Sequence, residues 1–407
     1  MRVHDCARYL LGSRAAILTI AGSRGALAVG ALLVLASSVA RNYDGKDLLR
    51  EWDVLLHGIG VSLGNAVVLW TLLYGVAATK KAEKPPYFSG FLSFLALFWM
   101  TAPMAWLYAV PYEQFLPPAD AIRANAWTLA LVSAWRVLLV ARALSVIWGA
   151  RFWTVLCIVL LFADVVVFLG AAYAPAPMVD FMGGFQYTPE ETALADLNFA
   201  AHFWSLFLLP AACTAALVGW AKFKGAWSVG SPDRRVHPTV WALPAAAFLA
   251  LAPGVAIMQP EQRLRYRVEE LLCTERVDEG LREMSRHERR MFPRVWDPPP
   301  RVAFHDSSPP MEQVRAALAE GGQSPWVRAI YLEKSLRCVV REHYYSVRSS
   351  TVAGIVGYEH ADPTPELVEQ LRFHFAHDER LTDDERAALG SYMERLQGTL
   401  ERTEPPE

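Results

Sequence analysis

Long apolar runs separated by short charged connections dominate the first 258 positions of the chain, and charged, helically patterned segments dominate the rest. A hydrocarbon core of about 30 Å is crossed by roughly 20 apolar residues in a helix. Seven stretches meet or approach that length: Gly25 to Ala40, Leu55 to Ala78, Phe88 to Val110, Ala126 to Trp148, Phe152 to Ala174, Phe199 to Trp220 and Thr239 to Met258. Lipid offers backbone amides no hydrogen-bond partner, and the runs are about twice the length of a barrel strand, so helices are expected. The first run is short, and the fourth carries Arg136 and Arg142. Gly22, Ser23 and Arg24 separate the first run from an expected interfacial helix over Ala7 to Ala21. Ser38-Val39-Ala40 also offers a small-x-small cleavage pattern, which makes a signal peptide the competing reading of this segment.

The expected fold class is all-α: a polytopic bundle of about seven spans followed by an all-α soluble carboxy-terminal domain. The divisions are a cytoplasmic or interfacial segment at 1–24, a transmembrane domain at 25–258, a charged helical connector at 259–297 and a helical tail at 298–407. Connector helices are expected from Gln259, with Leu264, Val268, Leu271 and Leu272 at helical spacing, and from Arg276 to Arg290. Pro298-Pro299-Pro300 reads as an extended spacer. Tail helices follow near Met311 to Glu320, Pro325 to Tyr345, Pro365 to Ala376 and Asp383 to Leu400, with a short strand-like run at Val352 to Val356. Ser324 and Thr364 are N-cap types followed by Pro, and Thr382-x-x-Glu385 is a capping box. Tandem helices of this kind suit a HEAT-type solenoid fragment, although no repeat aligns with another.

Charge fixes the expected orientation. Twelve Lys and Arg fall in the connections on the amino-terminal side and four on the other, which places the amino terminus in the cytoplasm. An odd number of spans then places the tail outside, in a plasma membrane or bacterial-type inner membrane. Twelve of the 14 Trp lie between Trp52 and Trp241, several at span ends. The chain is 53% hydrophobic and 20% charged, with net charge +4 over residues 1–258 and −6 over residues 259–407. Those figures exclude a wholly soluble enzyme and a disordered chain, and the lack of a basic block gives nucleic acid no binding surface. Five Cys in 407 residues make no disulfide framework.

Candidate chemistry lies in polar groups that hydrocarbon should exclude. Arg136 and Asp164 sit near the middle of the fourth and fifth spans, each about 12 residues from the short connection between them, so similar depth allows a direct charge pair. The pair reads first as a clamp on the hairpin and second as an ion or proton relay. Arg142 lies nearer the cytoplasmic face and can snorkel. His57, Asn65 and His202 are candidates for a polar mouth at the opposite face. Gly60-x-x-x-Gly64 reads as a helix-packing face. Pro103, Pro210, Pro244 and Pro253 interrupt spans, but no inverted repeat accompanies them. In the tail, His374-x-x-His377 has the spacing of half a metal site, and the position near a helix end makes solvated His the plainer reading. Cys273 and Cys338 could join as a disulfide if the tail is extracytoplasmic. There is no His-Glu-x-x-His, Gly-Lys-Ser/Thr or Cys-x-x-Cys pattern. No catalytic residue, cofactor or metal is expected. The expected role is an interaction or scaffold protein of the lipid bilayer whose tail meets a protein partner, with a transporter or ion-coupled channel as the alternative.

Overall fold

The computed structural model describes residues 1–173, 189–230, 235–274, 276–292, 296–300, 309–331 and 334, together with residues 383, 386, 387, 390, 393 and 394. All regular structure among these residues is helical. Six helical segments are long and apolar enough to cross a membrane: Asp53–Thr79, Tyr87–Gln114, Pro118–Ile147, Phe152–Ala171, Ala193–Lys222 and Pro238–Cys273. The chain divides into two units, 1–175 with 189–263, and 176–188 with 264–407.

The first unit opens with α1 (Val3–Leu10) and α2 (Arg14–Ala21). The single interfacial helix expected over Ala7 to Ala21 is thus two helices. The break falls at Gly12, whose φ of +73° suits a residue without a Cβ, and Arg142 Nε donates to the Gly12 carbonyl at 3.2 Å. Tyr9 is fully buried and its hydroxyl donates to the Leu97 carbonyl at 2.6 Å, which ties α1 to the bundle.

Helix α3 (Ala26–Asn42) corresponds to the first apolar run. Its 17 residues reach about 25 Å at 1.5 Å each. It packs on α4 (Asp53–Thr79), on α5 (Tyr87–Trp99) and on the 3-10 segment Ala102–Ala109. The third apolar run is therefore not one uniform helix, because Pro103 removes a backbone donor and the chain tightens into 3-10 turns around it. Helix α6 (Pro118–Ile147) follows, and α7 (Phe152–Tyr173) packs along α8 (Pro189–Lys222). Pro210 lies inside α8, and Phe199, Phe203 and Phe207 stack outward along it with centroids 6.0 and 6.2 Å apart. Helix α9 (Ala242–Cys273) contains Pro253 and Pro260. The seventh apolar run and the expected helix from Gln259 are one helix, with Pro244 in its first turn.

Each end of the first unit is cross-tied. At the basic end, Met1 exchanges bonds with Arg235 and His237, Ala226 and Ser228 donate to the Trp148 and Ile147 carbonyls, and Trp227 N–H donates to Glu83. Trp70, Tyr74, Tyr87, Phe94, Trp148 and Trp227 form one aromatic cluster there, with Trp70 and Trp148 fully buried. At the other end, the loop after α3 is held by Tyr43, whose hydroxyl donates to Ala109 at 2.8 Å, and by Gln259 of α9. Among the described residues nothing lies within 4 Å of a Cβ built on Gly60 or Gly64, the pair expected to form a packing face. The close approach is two residues earlier, where a Cβ on Gly58 would collide with Ser38 Oγ.

The second unit has its own core of Val268, Leu272, Val277, Leu281, Met284, Phe292, Trp296, Val314, Ala317, Val327 and Tyr331. It includes α10 (Val277–Ser285) and α11 (Met311–Ala319). The helix expected from Arg276 to Arg290 stops at Ser285 and is followed by a 3-10 turn at Arg289–Met291. Pro298-Pro299-Pro300 is no free spacer: Lys334, 1% exposed, donates to the Pro298 and Pro300 carbonyls and pairs with Asp297 at 2.6 Å, while Tyr331 donates to Pro299. Residues 325–331 are helical, as expected from Pro325. Val352 to Val356, Thr364, the Pro365 to Ala376 helix and most of the Asp383 to Leu400 helix lie outside the described residues.

Candidate functional site

The site is built around Arg136. Its position follows from α6 itself: Arg136 lies 11 residues before Ile147, deep within a 30-residue helix. There it faces α5, not α7. Its Nε donates to Thr101 Oγ1 at 3.1 Å, and the guanidinium lies 5.7 Å from the Phe98 ring centre. Thr101 is fully buried and donates its own proton to the Phe98 carbonyl at 2.7 Å, which leaves its oxygen free to accept from arginine. The Arg41 guanidinium sits over the Tyr108 ring at 4.8 Å. Arg136 on α6 and Arg41 on α3 thus each lie against α5 or its 3-10 extension.

The structure does not join Arg136 to Asp164. Asp164 Oδ2 is buried without a hydrogen-bond partner on α7. One turn later, Phe168 stacks on His202 of α8 with centroids 4.9 Å apart, and His202 Nδ1 is likewise buried and unpartnered. His57 and His202 make separate contacts: His57 is exposed and lies 4.0 Å from Asp53 on its own helix. Asn65 is partly buried on α4. Among the described residues no group of three His, Cys, Asp or Glu could hold a metal ion. His374, His377 and Cys338 lie outside the described residues, and Cys273 is exposed.

Gly60-Val61-Ser62-Leu63-Gly64 also has the Gly-x-Ser-x-Gly spacing of a nucleophile elbow, which reading the glycines only as a packing face passes over. That elbow needs a sharp strand-to-helix turn. Here Ser62 is in the middle of α4 with its hydroxyl buried and unpartnered, so the exposed nucleophile geometry is lacking.

A second polar cluster was missed in the sequence. Gln259 Nε2 donates to the Tyr43 and Lys46 carbonyls at 2.7 and 2.9 Å, and its Oε1 accepts from Leu48 N–H at 3.0 Å. Asp47 is buried, accepts from Leu49 N–H and lies 3.9 Å from Arg263. Neighbouring Asp44 has its pKa pushed up to about 6, first by burial and then by the charge of Glu113, which itself accepts from Asn125 at 2.6 Å. The signal available was a Gln directly before Pro260 at the end of an apolar run. It can be read only with the α3 loop in view.

Comparison of the chain with family models, with curated proteins and with solved structures gives no match, so the site stands on its own geometry.

Proposed function

We propose that the chain is a membrane-anchored interaction protein. It has seven spans, its amino terminus lies in the cytoplasm of a plasma or bacterial inner membrane, and its extracytoplasmic soluble helical tail binds a protein partner. The observation that carries this reading is the tail's own hydrophobic core, from Val268 to Tyr331, which makes the segment after the last span a folded module able to present a surface. The seventh span is α3. Its start lies beside Val236 and Trp241 at the basic end, and Tyr43 just past its end lies beside Gly254 and Gln259. The twelve-to-four distribution of Lys and Arg supports the orientation.

A transport role, centred on Asp164, is favoured by one observation, the unpartnered Asp164 and His202 atoms on the α7–α8 hairpin. Reconstitution separates the two. The interaction role predicts that wild type and Asp164→Asn proteoliposomes pass protons and small ions at the rate of empty vesicles. A pH-dependent flux in wild type that vanishes in a folded Asp164→Asn variant would overturn it.

A further inference from the structure

We propose that the groove between α4 and the end of α8 seats one acyl chain of an anionic phospholipid, with the headgroup at Lys80. The groove has a volume of about 570 Å³ and is lined by Val67, Val68, Leu72, Gly75 and Val76 of α4 and by Trp220 of α8. Val67, Val68 and Leu72 are exposed on a helix of membrane-spanning length, so the groove opens to lipid. Its polar wall residues are already satisfied. Thr71 Oγ1 bonds the Val67 carbonyl and the Tyr87 hydroxyl, and Thr79 Oγ1 donates to the Val76 carbonyl and accepts from Trp220 Nε1 at 3.0 Å. The wall therefore asks for no hydrogen bond, which suits an alkyl chain and not a polar solute. From Val67 to Thr79 it runs about 18 Å along α4, close to the roughly 15 Å of hydrocarbon in one leaflet. Glycine is a poor helix former, and among the described residues nothing lies within 4 Å of a Cβ built on Gly75. That glycine serves no close helix contact and instead deepens the groove. The mouth is basic: Lys80 Nζ donates to the Ala221 carbonyl at 3.3 Å and sits 4.1 Å from the Trp220 ring centre, just where α4 ends. One of its three donors is spent there. Lys81 and Lys222 adjoin the two residues of that contact in sequence, and Lys84 follows, against one carboxylate, Glu83, in the same turn. Cations at the edge of the hydrocarbon attract acidic headgroups. A slot for a chain and a cationic mouth match the two parts of an anionic phospholipid, whereas a helix from a second copy would fill the slot and leave the lysines without a counter-charge. The site needs only α4 and α8 in the bilayer, whichever side the basic end faces.

Native mass spectrometry of the detergent-solubilised full chain, titrated with phosphatidylglycerol or with phosphatidylcholine of the same chains, reads the site directly. Wild type should retain one phosphatidylglycerol about fivefold more tightly than one phosphatidylcholine. Lys80→Gln should remove most of that preference. Gly75→Leu should weaken phosphatidylglycerol binding by at least as much, because the added side chain fills the groove while every lysine stays in place. It thereby separates a seated chain from general attraction between lysines and acidic lipid. Lys80→Gln, at the end of α4, stays readable if Gly75→Leu fails to fold. Equal retention of the two lipids, or undiminished phosphatidylglycerol binding in either variant, overturns the proposal, as does a lipid-free dimer that Gly75→Leu abolishes.

Discussion

Replacing Trp70 with alanine should destabilise the detergent-solubilised protein by about 3 kcal/mol or more, read as a lowered midpoint in thermal or denaturant unfolding. Trp70 is fully buried, with ring centroids 5.7 to 6.3 Å from Phe94, Tyr74, Trp148, Trp227 and Tyr87. Those neighbours come from α4, α5, α6 and the connection after α8, so the loss falls on the junction that ties the basic end together. Lipid tails are as apolar as the bundle interior, so packing and the cavity left behind, not transfer from water, account for the effect. The indole N–H makes no hydrogen bond, so Trp70→Phe should cost far less. Gly90 is expected to be intolerant for the same reason, because a Cβ there would lie 2.7 Å from the Trp70 ring. Equal losses for Trp70→Ala and Trp70→Phe would mean that stacking around this residue contributes little.

Gln259→Leu should cost about 2–4 kcal/mol, because it leaves the Tyr43 and Lys46 carbonyls and the Leu48 N–H without partners in a partly buried junction. Gln259→Glu keeps an acceptor for Leu48 but turns a carboxylate oxygen toward the Tyr43 and Lys46 carbonyls in a buried position, so at neutral pH its cost should be at least that of Leu. Asp44 in the same loop adds a pH dependence. Its folded pKa of about 6 exceeds the ordinary value of 3.8, so the folded state holds its proton more tightly than the unfolded state does. Its contribution to stability is fully present below pH 3.8 and is lost as pH rises through about 6. Asp44→Asn should flatten the midpoint-against-pH curve between those values and raise the midpoint at pH 7.5. A pH profile unchanged by Asp44→Asn would place the titrating group elsewhere.

What could be read from the sequence follows a physical division. Continuous apolar runs dictate helix existence and length, so α4, α7 and most of α8 lie where hydrocarbon thickness predicts. Depth along a helix is also legible, which is why Arg136 and Asp164 stand out. Azimuth is not legible: each residue turns 100° from the last, and only packing decides that Arg136 faces Thr101 while Asp164 lies on the helix paired with α8. Glycine spacing fails for a related reason, since Gly60 and Gly64 lie in the open while Gly58 receives Ser38. The Gln259 clamp joins residues more than 200 positions apart, so no local pattern marks it. In the tail, three prolines predict an extended spacer, whereas the chain bends at Pro299 and Pro300 and Lys334 and Tyr331 bind the proline carbonyls.

The central claim is an odd number of spans with the tail outside. It is tested most directly by fusing the carboxy terminus of the full chain to alkaline phosphatase, active only outside the cytoplasm, and in parallel to a fluorescent protein that matures only within it. Phosphatase activity without fluorescence is the expected result. Fluorescence without phosphatase activity would contradict it, returning α3 to a buried helix that does not cross the membrane and the tail to the cytoplasm.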